Sequence, residues 1–195
     1  MLSPWLTDWP SAAVVLAVLS YAWTFSAVSS PNERTRLYLS MAVLEDGALS
    51  IDGPMKRYGR VYDLATHDGH FYTDKAPGSS LLALPPLAIA RVLHAEPLSI
   101  VELVNVVRTW LMLPVALAGF LLLRRLLRRL GRRPATVDVV SIGYALATPC
   151  MHYGTAFYGH VLVSTLLLAA LVCLAEAGLI EGTKAHLGWV ACTGA

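Results

Sequence analysis

A long apolar segment near the middle of the chain constrains the fold most. It runs from about Leu98 to Leu123 and leads directly into the sequence RRLLRRLGRRP. A helix that crosses the hydrocarbon core of a bilayer needs roughly 20 predominantly apolar residues. The segment has that length despite Glu102 and Arg108. Because clustered arginines beside a span are typical of the cytoplasmic side, it predicts a transmembrane helix with a cytoplasmic anchor.

Other apolar segments extend this prediction to the whole chain. Of its 195 residues, 56% are hydrophobic and 14% are charged, which is unlike most soluble domains. Spans are predicted at about 11–29, 98–123, 135–151 and 157–177, and another apolar stretch starts near 186. We expect an all-α, polytopic integral membrane protein with a single N-terminal transmembrane domain over 1–195. Since the last stretch is too short to cross, we also expect a part of a longer protein.

A polar region separates the first two spans, over residues 31–97. Residues 31–78 contain six basic and seven acidic residues, a net charge of −1, so the positive excess of cytoplasmic loops is missing. Glycines punctuate the region around short helical stretches such as Thr35 to Leu44. We predict a long exported loop that contains short interfacial helices.

The apolar segment 79–94 decides the predicted topology. It is short, carries Pro85 and Pro86 near its centre, and has Arg91 near its end. A full span here would put the loop and the arginine cluster on the same side of the membrane. A re-entrant or interfacial segment puts them on opposite sides, in agreement with their charges. We predict the second arrangement, in a bacterial inner membrane, with a cytoplasmic N-terminus.

The start of the loop holds the first candidate for chemistry. Asn32, Glu33 and Arg34 follow the first span directly, so the carboxylate of Glu33 should lie just outside the bilayer. A carboxylate at such a boundary can serve as a general base. The alternative is a helix-start charge that pairs with Arg34 or Arg36.

The end of the loop holds the second candidate. Asp74 and Lys75 precede a Pro-Gly turn at the point where the chain re-enters the membrane. A lysine ammonium is a compact charge that suits phosphate oxygens. The alternative is an ordinary interfacial lysine with its apolar stem along the membrane.

Arg108 is an ionisable residue inside a predicted span. Such residues are energetically expensive and tend to face the interior of a helix bundle. Glu102 lies six residues earlier and off the i,i+4 spacing, so the expected partner of Arg108 is a ligand phosphate or a loop carboxylate. A functional role and a structural pairing both stay open.

Histidines suggest weaker sites. His67, Asp68 and His70 could hold a divalent cation with a nearby carboxylate, although solvated side chains are the favoured interpretation. His152 and His160 flank a tight connection between two predicted spans on the outer side.

Two other features of the sequence predict no site. The three cysteines stand singly in apolar stretches without CxxC spacing, which favours small buried side chains over metal or disulfide roles. The arginine cluster lies between spans and its leucines continue the helical pattern, so membrane anchoring explains it better than nucleic-acid binding.

In combination, these motifs resemble the lipid-dependent membrane glycosyltransferases of the GT-C superfamily, in particular protein mannosyltransferases and the lipid A aminoarabinose transferase. A first span leads into an exported loop that opens with NERTR and closes with FYTDKAPG. Arg108 follows in the next span, and a Gly-containing turn at 154–160 precedes a further one. The chain has Asn32 where that family has an acidic residue, and His160 where relatives often have Asp.

The resemblance implies transfer of a sugar, with inversion, from a polyprenyl-phosphate donor to an exported acceptor. Glu33 would be the catalytic base, and the implied substrate-binding residues are Asn32, Arg34, Asp74, Lys75, Arg108 and His160. The implied partners are the lipid-linked donor and membrane lipids, while the sequence specifies no cofactor and no oligomeric state. The competing hypothesis is a non-catalytic membrane protein that binds lipid phosphate or scaffolds a partner.

Overall fold

The computed structural model describes residues 9–24, 30–94 and 96–179. Most of them are helical, as predicted. The helices and strands, in chain order, are α1 (Trp9–Thr24), α2 (Pro31–Met41), α3 (Asp52–Tyr58), β1 (Ala65–His67), β2 (His70–Tyr72), α4 (Gly78–Leu82), α5 (Leu84–Leu93), α6 (Ile100–Val107), α7 (Leu113–Arg129), α8 (Pro134–Leu146), α9 (Cys150–Gly154) and α10 (Gly159–Glu176). Two π-helical turns, Ala42–Asp46 and Arg108–Met112, continue α2 and join α6 to α7.

Within the described residues, two helices are long and apolar enough to cross a membrane. The first is the continuous helix Ile100–Arg129, of 30 residues, and the second is α10, of 18 residues. Helices are therefore present at the predicted spans 98–123 and 157–177. The apolar helices at the other two predicted spans, Trp9–Tyr21 and Pro134–Leu146, are shorter than 18 residues. The stretch predicted to start near 186 lies outside the described residues.

The long helix is the centre of a bundle. Helix α7 packs against α8 and α10, and α1 packs against α8. The contact between α7 and α10 is close, because a Cβ atom on Gly119 would lie 2.6 Å from the hydroxyl oxygen of Thr165. That hydroxyl donates to the carbonyl oxygen of Val115 at 3.1 Å. A small residue with a backbone-bonded hydroxyl is a common way for apolar helices to associate closely.

The bundle has two chemically different ends. At the basic end, Arg124 and Arg128 line a cavity with Trp9, at the start of α1, and Arg125 pairs with Glu176, at the end of α10. At the loop end, Arg108 contacts the polar loop. Arg108 and Arg124 are 16 positions apart on one helix, which corresponds to about 24 Å at 1.5 Å per residue. The polar loop and the arginine cluster therefore lie at opposite ends of the bundle.

The polar loop is a folded unit with its own core. Tyr38, Leu39, Ile51 and Val61 are buried together. Strands β1 and β2 form an antiparallel hairpin, and the carbonyl oxygen of Phe71 accepts the amide of Ile51 at 2.8 Å. This hairpin is an addition to the all-α prediction.

The apolar segment 79–94 lies against the loop. It forms α4 and α5, and contacts with the loop hold both of its ends. Ser79 accepts a hydrogen bond from Arg36 at 2.8 Å, and Arg91 pairs with Glu45 at 3.0 Å. Since Arg36 and Glu45 belong to α2 and its π-helical extension, the segment runs beside that helix. Whether it is interfacial or re-entrant stays a prediction.

Candidate functional site

The site begins with the local sequence that starts α2. Ser30 caps the helix: its hydroxyl oxygen accepts the amide of Glu33 at 3.2 Å, and the Glu33 carboxylate accepts the amide of Ser30 at 3.1 Å. Pro31 occupies the first helical position, where its missing N–H is harmless. This reciprocal cap begins the helix at Pro31, four residues before the predicted Thr35, and it fixes the Glu33 side chain.

Glu33 and Arg108 form a buried ion pair. Only 1% of Glu33 and 8% of Arg108 is exposed. Arg108 Nη2 lies 2.9 Å from both carboxylate oxygens, and Arg108 Nε lies 3.2 Å from Oε1. The amide of Phe157 also donates to Oε1, at 2.7 Å. The partner of Arg108 is therefore a loop carboxylate, one of the two expected alternatives.

This pair joins three parts of the chain. It connects the start of α2, the π-helical turn in the long helix, and the connection between α9 and α10. The Glu33 carboxylate accepts from the amides of Ser30 and Phe157 as well as from Arg108, so both of its oxygens are occupied. Such a carboxylate holds the loop on the bundle. The helix-start interpretation describes its capping role correctly, but its ion-pair partner is Arg108 and not a neighbouring arginine.

Arg36 connects the two ends of the loop. Its Nε donates to Asn32 at 3.0 Å, and its Nη1 donates to the Ser79 hydroxyl at 2.8 Å and to the Ala76 carbonyl at 3.4 Å. Burial lowers the pKa of this guanidinium, and the charge of Asp74 opposes that shift. Arg36 thus brings the two ends of the loop together, and the site prediction omitted this residue.

Lys75 lies between two carboxylates. Its Nζ is 2.8 Å from Asp63 and 2.9 Å from Asp74. The hydrogen bond to Asp63, followed by that to Asp74, raises the pKa of Lys75. Burial raises the pKa of Asp74, but the hydrogen bond and charge of Lys75 bring it below the usual value. Both carboxylates are only partly covered, since their side chains are 31% and 37% exposed.

Aromatic rings border the same region. The ring of His160 lies 4.8 Å from that of Tyr153 and is nearly parallel to that of Tyr158, with centroids 6.1 Å apart. The Tyr158 hydroxyl is 2.7 Å from the Ser30 hydroxyl. The backbone between the two rings reaches Arg36, because a Cβ atom on Gly159 would lie 3.8 Å from Arg36 Nη1. His152 and Tyr153 belong to the short helix α9, so the tight connection predicted here is wrong.

The structure separates the predicted site residues into two groups. Glu33 and Arg108 form the buried pair. The surface near Arg36 is formed by Asn32, Asp74, Lys75, Asp63, Tyr158 and His160. The predicted substrate contact by Arg34, a half-buried residue of α2, stays a prediction.

Sequence reasoning missed three residues of this surface, which are Arg36, Asp63 and Tyr158. The i,i+4 spacing of Asn32 and Arg36 could have indicated the first. Asp63 and Tyr158 reach the surface through tertiary contacts, for which the sequence has no local signal.

The histidines of the hairpin face different carboxylates. His67 pairs with Asp68 at 3.3 Å, and His70 pairs with Asp52 at 2.7 Å. Among the residues that the structure describes, no three His, Cys, Asp or Glu side chains converge on a metal-sized site. The H-D-x-H motif is therefore split between two pairs.

Comparison of the chain with protein families, with curated proteins and with solved structures finds no match. Two cations, two partly exposed carboxylates and a pair of aromatic rings lie together where the polar loop rejoins the bundle. Such a surface can bind a phosphate, accept a proton and contact a sugar ring.

Proposed function

We propose that this chain belongs to a membrane glycosyltransferase that moves a sugar from a polyprenyl-phosphate donor to an exported acceptor. The observation that carries the proposal is the pairing of Lys75 with Asp63 and Asp74 beside Arg36, at the loop end of an apolar bundle. A lipid-linked donor presents its phosphate at the membrane surface, and cations at that level suit it. The resemblance to GT-C enzymes supports the same reaction.

The placement in a membrane is part of the proposal. Two helices have the length and composition of spans, and the arginine cluster lies at the end opposite the loop. The excess of positive charge favours a cytoplasmic basic end. The chain is then a polytopic inner-membrane protein with an exported loop.

The reaction needs a cation for the leaving group and a base for the acceptor. Arg36 and Lys75 hold the donor phosphate. As Lys75 turns from Asp74 to the phosphate, the Asp74 carboxylate loses its ammonium partner and accepts the proton of the acceptor hydroxyl. The acceptor oxygen then attacks the anomeric carbon, and the bond from that carbon to the phosphate oxygen breaks with its electrons on the phosphate. Tyr158 and His160 line the position of the sugar ring.

The assignment of Glu33 as the base stays a prediction, and it is the alternative to Asp74. As a base, Glu33 would have to leave Arg108 before it could take a proton, because its oxygens already accept hydrogen bonds. Asp74 is more accessible, with 37% of its side chain exposed. The geometry therefore favours Asp74 as the base and Glu33 as the residue that holds the loop.

Turnover can be measured as release of polyprenyl phosphate from a panel of radiolabelled polyprenyl-phosphate hexoses and pentoses, using membranes that contain the full-length protein. The Asp74→Asn variant is expected to lower the rate at least 100-fold, since a general base contributes roughly 10²- to 10⁴-fold. Asp68→Asn is the matched control. It makes the same change at an exposed hairpin residue and should stay within about twofold of wild type.

Two outcomes would contradict this assignment. Full activity of Asp74→Asn with loss of activity in correctly folded Glu33→Gln would return the role of base to Glu33. Absence of turnover with every donor, together with donor binding that requires Lys75, would favour the non-catalytic phosphate-binding hypothesis. This second hypothesis is supported by the hydrogen bonds that the Glu33 carboxylate already accepts, because they oppose its use as a base.

A further inference from the structure

A second cationic site lies at the basic end, far from the polar loop. A cavity of about 350 Å³ is lined by three arginines, Arg124, Arg128 and Arg132, together with Asp138 and the exposed ring of Trp9. The volume is that of a small-ligand site. Anchoring by positive charge requires only basic residues near the membrane surface, and it does not require that they line a common cavity.

Arg124 is fixed within this cavity by contacts with its own chain. It is only 3% exposed, and its Nη1 donates to Asp138 at 2.8 Å and to the Ser141 hydroxyl at 3.5 Å. Its guanidinium also lies 5.5 Å from the centre of the Phe120 ring. A guanidinium held in this way loses little freedom when it binds a ligand.

The other two arginines extend the same side of the cavity towards the end of the helix. Arg128 follows Arg124 by four positions on α7, so their side chains share a helix face. Arg132 comes after the helix end at Arg129 and lines the cavity from the connection to α8. Among the described residues, three guanidinium groups and one carboxylate thus line the cavity, and the guanidinium groups lie at increasing distance from the bundle interior.

We infer that this cavity binds the phosphate of an anionic lipid headgroup. Guanidinium groups match phosphate oxygens with paired hydrogen bonds, and a tryptophan such as Trp9 is typical of the level of lipid headgroups. A lipid fits better than a soluble phosphate, because the flanking helices α1 and α8 present exposed apolar side chains for acyl chains. Leu16 is 65% exposed and Val139 is 72% exposed. This site is separate from the proposed transfer reaction.

The test is lipid binding by the purified full-length protein in neutral detergent, followed by native mass spectrometry. The probes are phosphatidic acid, phosphatidylcholine and inorganic phosphate. Phosphatidic acid should bind at least tenfold more tightly than phosphatidylcholine, and the Arg128→Gln/Arg132→Gln variant should lose at least tenfold in affinity for it. The matched control, Arg129→Gln/Arg133→Gln, removes the same charge from residues outside the cavity lining and should lose no more than about twofold.

Three results would overturn the inference. Equal losses in the two variants would show general attraction to the charged cluster. Displacement of the lipid by an equal concentration of inorganic phosphate would identify a soluble ligand. Equal binding of phosphatidylcholine would exclude recognition of an anionic headgroup.

A second pair of variants tests the same inference if the first pair does not insert into the membrane. The variant Arg128→Lys/Arg132→Lys keeps both positive charges but replaces the planar guanidinium groups, which donate paired hydrogen bonds to a phosphate. It should weaken binding several-fold, whereas Arg129→Lys/Arg133→Lys should not. Unchanged binding in both lysine variants would also overturn the inference.

Discussion

Glu33 and Glu102 have the same local position but different tertiary surroundings. Each is the third residue of a helix and completes a reciprocal cap, with Ser30 or with Ser99. Glu33 is buried against Arg108, whereas Glu102 is exposed and accepts a hydrogen bond from Ser99. A comparison of the two glutamates therefore separates the effect of capping from that of the buried ion pair.

Glu33→Gln should destabilise the protein by about 3–5 kcal/mol, because it removes the carboxylate that pairs with the buried charge of Arg108. Glu102→Gln is the matched control, and its melting temperature should be nearly that of wild type. Thermal unfolding in detergent measures both. The double variant Glu33→Gln/Arg108→Met should recover part of the lost stability, since it removes both charges. Equal melting temperatures for the two single variants would show that the pair contributes little.

The Asp52 carboxylate joins the β1–β2 hairpin to α3. Asp52 accepts the amide of Phe71 at 2.9 Å and pairs with His70 at 2.7 Å. The hydrogen bond from His70, followed by that from Phe71, lowers the pKa of Asp52. A carboxyl group whose pKa is lowered on folding stabilises the folded state above its unfolded pKa of about 3.9. This contribution is lost as the pH falls from that value through the lower pKa of the folded state.

The hairpin should therefore loosen below about pH 4. The amide of Ile51, which donates to Phe71, reports this through its hydrogen-exchange protection factor, corrected for the intrinsic effect of pH. Protection should fall between pH 5 and pH 3 in wild type. Asp52→Asn should lower protection at neutral pH and remove most of the pH dependence, whereas Asp68→Asn should behave as wild type. Constant protection down to pH 3 would contradict the role given to Asp52.

The elements differ in how far the sequence predicts them. The two long helices follow from apolar length alone. The hairpin has short strands without alternating apolar residues, yet Asp68-Gly69 is a recognised turn signal, and both residues have the positive φ that a type I′ turn requires, +49° and +79°. This dipeptide therefore predicts the hairpin turn. The sequence predicts the partner of Arg108 only as a ligand phosphate or a loop carboxylate, because the packing of distant elements selects Glu33.

The candidate surface shows the same division between local and tertiary information. Its position at the loop ends follows from the polar boundary of the spans. The contact of Arg36 with Ser79 joins residues 43 positions apart, and it exists because α4 packs against α2. A local sequence pattern does not predict contacts between residues this far apart in the chain.

At the scale of the whole molecule, the arrangement of the two ends predicts a topology. Arg108 and Arg124 are separated by about 24 Å along one helix, close to the thickness of roughly 30 Å of a hydrocarbon core. If the bundle crosses a membrane, the loop and the basic end must then lie on opposite sides. A topology in which the segment 78–93 also crossed would put both on the same side, and it would contradict this arrangement.

Single cysteines can distinguish these topologies in a background that lacks Cys150, Cys173 and Cys192. Thr66→Cys, on the hairpin, and Ala135→Cys, at the start of α8, are exposed positions that leave every arginine in place. In intact spheroplasts a membrane-impermeant maleimide should label Thr66→Cys, and Ala135→Cys should react only after permeabilisation. Labelling of both before permeabilisation would mean that 78–93 spans the membrane, and labelling of Ala135→Cys alone would mean that the positive charge of the basic end does not set the orientation.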